Sequence, residues 1–180
     1  MKKLIISYSF TGNNKMLSQS VAKELAADII EVTELKERTI KTIIIDIMFN
    51  REPNINPIPN DLKDYDIVIL NGPIWMGKVA SPLCSYFKYI SNAKCDYAFF
   101  SISGGAYNKN TNLEKDIRKK AKRDAIAVVD IHLADYLTDE DKKSSDDKVK
   151  DKLKSKDLDE ITKKVSKALI EKFSCIGSGR

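Results

Sequence analysis

Apolar and polar positions divide the chain into stretches of two periods, and the changes of period mark its elements. Lys3 to Tyr8 is a short apolar run and reads as a strand. From Asn14 to Ala26 the apolar residues Leu17, Val21 and Leu25 recur at helical spacing. Asp28 to Thr33 is β-branched and reads as a second strand. The stretch Ile40 to Phe49 carries both signals. Its isoleucines favour a strand, but Ile40, Ile43, Ile44, Ile47 and Met48 fall at i, i+3, i+4, i+7 and i+8. The helix reading is preferred because a parallel crossover needs a helix here. Pro53, Pro57 and Pro59 make residues 50–60 a loop.

Asp66 to Leu70 is apolar on both faces, as a central parallel strand is, and reads as the third strand. A helix follows from near Pro82 to about Ile90, then a fourth strand from Tyr97 to Ser103. Leu113, Ile117 and Ala121 mark a helix, Ile126 to Leu133 a fifth strand. Residues 135–156 are charged and read as exposed and partly mobile. Leu158, Ile161, Val165, Leu169 and Phe173 mark the last helix. Five strands alternating with five helices predict an α/β three-layer sandwich. Its sheet is parallel with helices on both faces, and the order 2-1-3-4-5 is taken as one of the common doubly wound orders. A length of 180 residues suits one such domain, assigned to residues 1–175. Residues 176–180 read as a disordered tail or an expression scar.

In sheets of this kind ligands bind beyond the carboxyl ends of the strands. Three loops there have unusual composition, and the expected strand order gives them one rim. The first, Ser9-Phe10-Thr11-Gly12-Asn13-Asn14, joins a strand to a helix N-terminus, where orphan N–H groups and the dipole favour an anion. Lys15 follows it, either as a helper or facing water. The second sets Trp75 among Gly72, Pro73 and Gly77. The third offers Ser103, Gly104, Gly105 and Tyr107. A ligand with a phosphate at one end and a flat ring system at the other suits this rim. Neither a Walker loop nor the dinucleotide fingerprint is present, since one Gly stands in the first loop and no Gly-Lys-Ser/Thr follows. A phospho-receiver of the same topology needs carboxylates where this chain has Ser7-Tyr8-Ser9 and Leu70-Asn71.

These three loops resemble those of the flavodoxin family. Ser9 to Asn14 is similar to the family's phosphate loop, usually Ser/Thr-x-Thr-Gly-x-Thr, with Asn14 in place of the last Thr. Gly72-Pro73-Ile74-Trp75-Met76-Gly77 resembles its second flavin loop, and Ser103-Gly104-Gly105 lies where the third belongs. The resemblance implies non-covalently bound FMN. Ser9, Phe10, Thr11, Gly12, Asn13 and Asn14 would hold the phosphate. Pro73, Ile74, Trp75, Met76 and Gly77 would flank the isoalloxazine, with Trp75 in contact and Gly77 admitting the backbone. Ser103, Gly104 and Gly105 would line the ring edge and Tyr107 could stack on it. It implies electron transfer to a redox partner protein or a small-molecule acceptor. The alternative on the same fold is an NAD(P)H-dependent FMN oxidoreductase reducing a quinone or similar acceptor. A scaffold that has lost the flavin and serves as an interaction module is a third reading.

Composition adds exclusions. The net charge of +5 departs from the acidic balance common in flavodoxins and suits an acidic partner. The basic residues after 115 alternate with Asp and lack interleaved aromatics, so no specific nucleic-acid platform is expected. No apolar run reaches membrane-span length, and the run after Lys2-Lys3 is too short for a signal peptide, so a cytoplasmic protein is expected. Cys84, Cys95 and Cys175 are odd in number and widely spaced, which predicts neither disulfides nor a zinc site. His132, the single histidine, reads as structural. The oligomeric state is left open.

Overall fold

The computed structural model describes residues 1–36, 39–49, 51–57, 62, 64–104, 110–136, 138 and 153–177, without the side chains of 176 and 177. Its strands are β1 (Lys3–Tyr8), β2 (Asp28–Glu34), β3 (Ile55–Asn56), β4 (Ile67–Asn71), β5 (Ile74–Trp75), β6 (Lys78–Val79), β7 (Asp96–Ser103) and β8 (Ala127–His132). Its helices are α1 (Asn13–Leu25), α2 (Ile40–Phe49), α3 (Cys84–Asn92), α4 (Leu113–Ala121) and α5 (Ser155–Gly177). The main sheet runs β3-β2-β1-β4-β7-β8. Five of these strands are parallel and stand in the expected 2-1-3-4-5 order. The sixth, β3, adds antiparallel to β2 through Thr33–Asn56 and Glu34–Ile55.

The two faces of the sheet are filled by alternate residues of each strand. Leu4, Ile6, Val68, Leu70, Tyr97 and Phe99 face α3 and α4, meeting Phe87, Ile90, Leu113 and Ile117. Ile5, Ile67, Ile69, Ala98, Phe100 and Ile131 face α1 and α5, meeting Leu17, Val21, Val165 and Leu169. All five residues of β4 are buried, because both of its faces are covered. Fully burying one such side chain contributes about 1.5–3 kcal/mol. Burial also pushes the Tyr86 and Tyr97 hydroxyls up to about 12; both donate, to the Pro57 and Arg123 carbonyls at 2.8 and 2.6 Å.

Two expectations change. Ile40–Phe49 is a helix with the expected bounds, but of its residues only Ile43 is buried, so it does not cover the sheet as a crossover helix. The cause is β3. It pairs with the carboxyl end of β2, so the chain after α2 is back at that sheet edge before it descends to β4. Ile55 and Leu62 fill the α3 side instead. At the other end, α5 begins at Ser155 and continues through Gly177, two residues into the stretch read as a tail. Most of the charged stretch 135–156 lies outside the described residues. No helix among the described residues is long and apolar enough to cross a membrane.

Candidate functional site

The first loop ends β1 and opens α1. Gly12 is the helix N-cap at φ 96°, a left-handed conformation that favours glycine, and no side chain caps this helix. Ser9 Oγ accepts the Gly12 N–H at 3.1 Å, which folds the loop back on itself. Thr11 is exposed and Ser9 half-buried. The N–H groups of the first turn of α1 thus face the rim, with the positive end of the helix dipole behind them. Lys15 is drawn aside to Glu31 at 2.7 Å, and its hydrogen bond holds the Glu31 carboxyl below its ordinary range. The anion-binding capacity of the loop is therefore that of neutral donors.

The side chains of Asn13 and Asn14 pack beneath this rim. Both are buried. Asn13 Oδ1 accepts the Leu153 N–H at 3.0 Å, tying α1 to the segment before α5. Asn14 Nδ2 donates to the Ile102 carbonyl at 2.9 Å, and its Oδ1 accepts the Ile102 N–H at 3.0 Å and Asn71 Nδ2 at 3.1 Å. The reason is the length of β4. Its last partner on β7 is Phe100, opposite Asn71, which leaves the next outward-facing pair of backbone groups at Ile102 without a strand. The Asn14 carboxamide, one donor and one acceptor, takes the place of a peptide there. A threonine offers one hydroxyl oxygen where the carboxamide presents its donor and its acceptor on separate atoms. Ser7 Oγ donates to Asn71 Oδ1 at 2.8 Å, and Asn71 Nδ2 also donates to the Phe100 carbonyl at 3.1 Å. Beneath the rim, Ser7, Asn71 and Asn14 form one buried network without an ionisable group.

The second loop is a hairpin the sequence did not announce. Ile74–Trp75 pairs antiparallel with Lys78–Val79 around Met76 and Gly77. Both turn residues have positive φ, 50° and 74°, the signature of a type I′ turn. Glycine suits this; methionine does not, and its side chain is exposed. Met76→Asn, which creates the favoured Asn-Gly turn, is expected to stabilise the fold by about 0.5–1 kcal/mol. A melting temperature no higher than that of the parent would contradict the assignment of strain. The hairpin is pinned at its base by Ala80 N–H to the Pro73 carbonyl at 3.1 Å and by Val79 N–H to Asp116 of α4 at 2.9 Å. Gly72 just before it has no room for a side chain, since a Cβ would lie 2.7 Å from Leu83 Cδ1.

Trp75 is half-buried and held by two edge contacts. Its ring centroid is 5.9 Å from Tyr8 and 6.1 Å from Phe10, with the planes at 87° and 90°. Tyr8 in turn donates its hydroxyl to Glu34 at 2.5 Å. The first and second loops therefore meet in an aromatic wall beside the anion-facing helix end. At the third loop, Ser103 is buried at the end of β7 and Gly104 is exposed; Gly105 and Tyr107 lie outside the described residues. Next to Ser103 is a polar group that sequence reasoning missed. His132 Nδ1 is 3.4 Å from Ser103 Oγ, His132 Nε2 is 3.2 Å from Asp130 Oδ2, and Asn110 donates to the same oxygen at 2.7 Å. Asp130 and His132 alternate with the apolar residues of β8, and that spacing was the available signal.

A cavity of about 680 Å³ lies at the opposite end of the sheet, lined by Tyr65, Tyr89 and Cys95 among others. Asp66 and Cys95, which precede β4 and β7, place it at the strand amino ends, away from the rim. Cys84 is on α3, and burial pushes its thiol up to about 11, which keeps it protonated and unreactive near neutrality.

Comparison with known proteins agrees with this geometry. No protein-family model and no curated protein matches the chain. Solved structures do. A flavoprotein from Lactobacillus acidophilus, crystallised in complex with FMN, superposes with a TM-score of 0.62 at 24% identity, covering 72% of this chain and 92% of that one. Flavodoxin 2 from Bacillus cereus gives a TM-score of 0.51 at 16% identity over 96% of this chain and 99% of its own. The fold is that of the flavodoxins. A WrbA-like flavodoxin from Agrobacterium tumefaciens is similar at a TM-score of 0.52 and 9% identity, with 97% of this chain and 99% of that one covered. The five parallel strands form the core of the sheet, and the antiparallel β3 stands at its β2 edge.

Proposed function

We propose that this flavodoxin-like chain binds FMN non-covalently at the carboxyl rim and passes electrons through it. The observation that carries the reading is the joining of an uncapped, left-handed helix start at Gly12 to a fixed aromatic wall at Trp75. The donor set fits the group. Ser9, Thr11 and the first-turn N–H groups of α1 would hold the phosphate, while Asn13 and Asn14 serve through their backbone and brace the loop from below. Trp75 would flank the ring system, with Pro73, Ile74, Met76 and Gly77 shaping the hairpin around it and Phe10 closing the near side. Ser103 and Gly104, with Gly105 and Tyr107, would border its far edge. Bound FMN supplies one- and two-electron chemistry; the protein binds it, orients it and sets its surroundings. The aromatic wall of Tyr8, Phe10 and Trp75 would shield one side of the ring from water, above the uncharged network of Ser7, Asn71 and Asn14. The electron partner is a redox protein or a small acceptor that reaches the open side of the rim.

The chain holds a single tryptophan, so its fluorescence reports on this site alone. Titrating flavin-free protein with FMN is expected to quench Trp75 and flavin emission together, to a one-to-one endpoint. No change in either signal overturns the reading. Mixing the loaded protein with NADH or NADPH then separates the two roles, since bleaching of the flavin colour without a partner protein marks a reductase rather than a carrier.

A further inference from the structure

Helix α2 is apolar over most of its length and yet buries only Ile43. Ile40, Met48 and Phe49 are 69%, 71% and 63% exposed, and Ile44 and Ile45 are exposed as well. A short helix in water draws most of its stability from packing an apolar face, so this one lacks the contact that would hold it. The exposed residues are ordered, not scattered. Ile40, Ile44 and Met48 stand at i, i+4 and i+8 and form one ridge; Lys41, Ile45 and Phe49 form the next ridge beside it. Two i±4 ridges with a groove between them are the surface that helices use to pack on one another in the commonest class of crossing.

We propose that α2 is a homodimerisation element, and that its occupant is the α2 of a second copy of this chain, packed antiparallel ridge into groove. Two observations favour a second copy over other partners. The first is area. The five exposed apolar residues of α2 lie on one helix surface and present on the order of 600 Å², the upper end of the patches of about 300–600 Å² found on ordinary monomers and most of the roughly 800 Å² that each side of a standard-size interface buries. The second is charge. The chain carries +5, but α2 carries one Lys and one Asp. An antiparallel pairing centred between Ile44 and Ile45 sets Lys41 level with the partner's Met48 and Ile40 level with the partner's Phe49. Within α2 no like charges then meet, and the two-fold relation closes the assembly at two copies. An anionic membrane surface is less suited: α2 carries one Lys against one Asp, and the next cation along, Arg51, lies over the Phe49 ring at 5.4 Å, where such helices carry several free cations.

Sedimentation equilibrium at tens of micromolar tests this without reference to flavin. The parent protein is expected at twice its chain mass of 20.3 kDa. Ile44→Asp and, separately, Met48→Glu are expected to raise the dimer dissociation constant more than tenfold while leaving far-ultraviolet circular dichroism and thermal unfolding of the dilute monomer unchanged. Ile170→Asp on α5 is the matched control, because Ile170 and Ile44 are both 47% exposed; it is expected to stay dimeric. A parent protein at single chain mass overturns the proposal, as does a dimer that survives both α2 substitutions or is lost equally in the control. So does a monomeric parent that floats with phosphatidylglycerol vesicles while Ile44→Asp does not, which would give the face to lipid.

Discussion

Asn14→Ala is expected to cost the fold about 2–6 kcal/mol, measured as a lower midpoint in urea unfolding followed by far-ultraviolet circular dichroism. The substitution removes no large apolar contact. It removes the carboxamide that holds both backbone groups of Ile102 and takes the Asn71 amide. Two buried peptide groups on β7 are then left without partners, at about 1–3 kcal/mol each, in a fold whose total stability is on the order of 5–15 kcal/mol. Asn14→Asp restores shape but not chemistry, because a carboxylate accepts from the Ile102 N–H and cannot donate to its carbonyl. It is therefore expected to unfold at lower denaturant than the parent at neutral pH. A loss under 1 kcal/mol for Asn14→Ala would mean that water or a shifted strand end satisfies Ile102.

Trp75→Ala is expected to weaken FMN about 10- to 100-fold, from about 1–3 kcal/mol of lost stacking. Flavin fluorescence reads this directly, since the variant has no other tryptophan. Trp75→Phe keeps an aromatic wall against Tyr8 and Phe10 and is expected to retain most of the affinity. Equal loss in both variants would assign Trp75 to holding the hairpin in shape, through its edge contacts at 5.9 and 6.1 Å, rather than to the ring. Affinity unchanged in Trp75→Ala would remove the aromatic wall from the proposed site.

Much of this architecture is legible in the chain because it is written in local periods. Leu17, Val21 and Leu25 point into one core and Leu113, Ile117 and Ala121 into the other, as their spacing requires. The continuous apolar run in β4 marks the sheet centre for the same reason. What was missed depends on relations between distant segments. β3 is two residues long and exists by its pairing with β2. The β5–β6 hairpin turns on Met76, a residue that gives no turn signal in sequence. Ile40–Phe49 has a sound helical period, but periodicity fixes the conformation of a segment and not what it packs against. At the site, Ser, Thr, Gly and Asn after a strand do mark a helix start. Their composition could not tell outward donors from inward braces, and Asn13 and Asn14 turn inward because Leu153 and Ile102 need them. Ser103 and Asn110 reach His132 and Asp130 of β8 through the topology, from separate elements.

If FMN binds above it as proposed, the network of Ser7, Asn71 and Asn14 would bear on the speed of electron exchange as well as on stability. An electron that arrives above these side chains changes the field on dipoles that are already locked by hydrogen bonds to the backbone. They cannot swing to follow the new charge, and no proton on them can move. The floor of the rim would thus be a stiff medium that loses little energy to relaxation when the proposed flavin changes charge above it. The pace of exchange would then follow how closely a partner approaches the open side of the rim, not how quickly the protein beneath it rearranges.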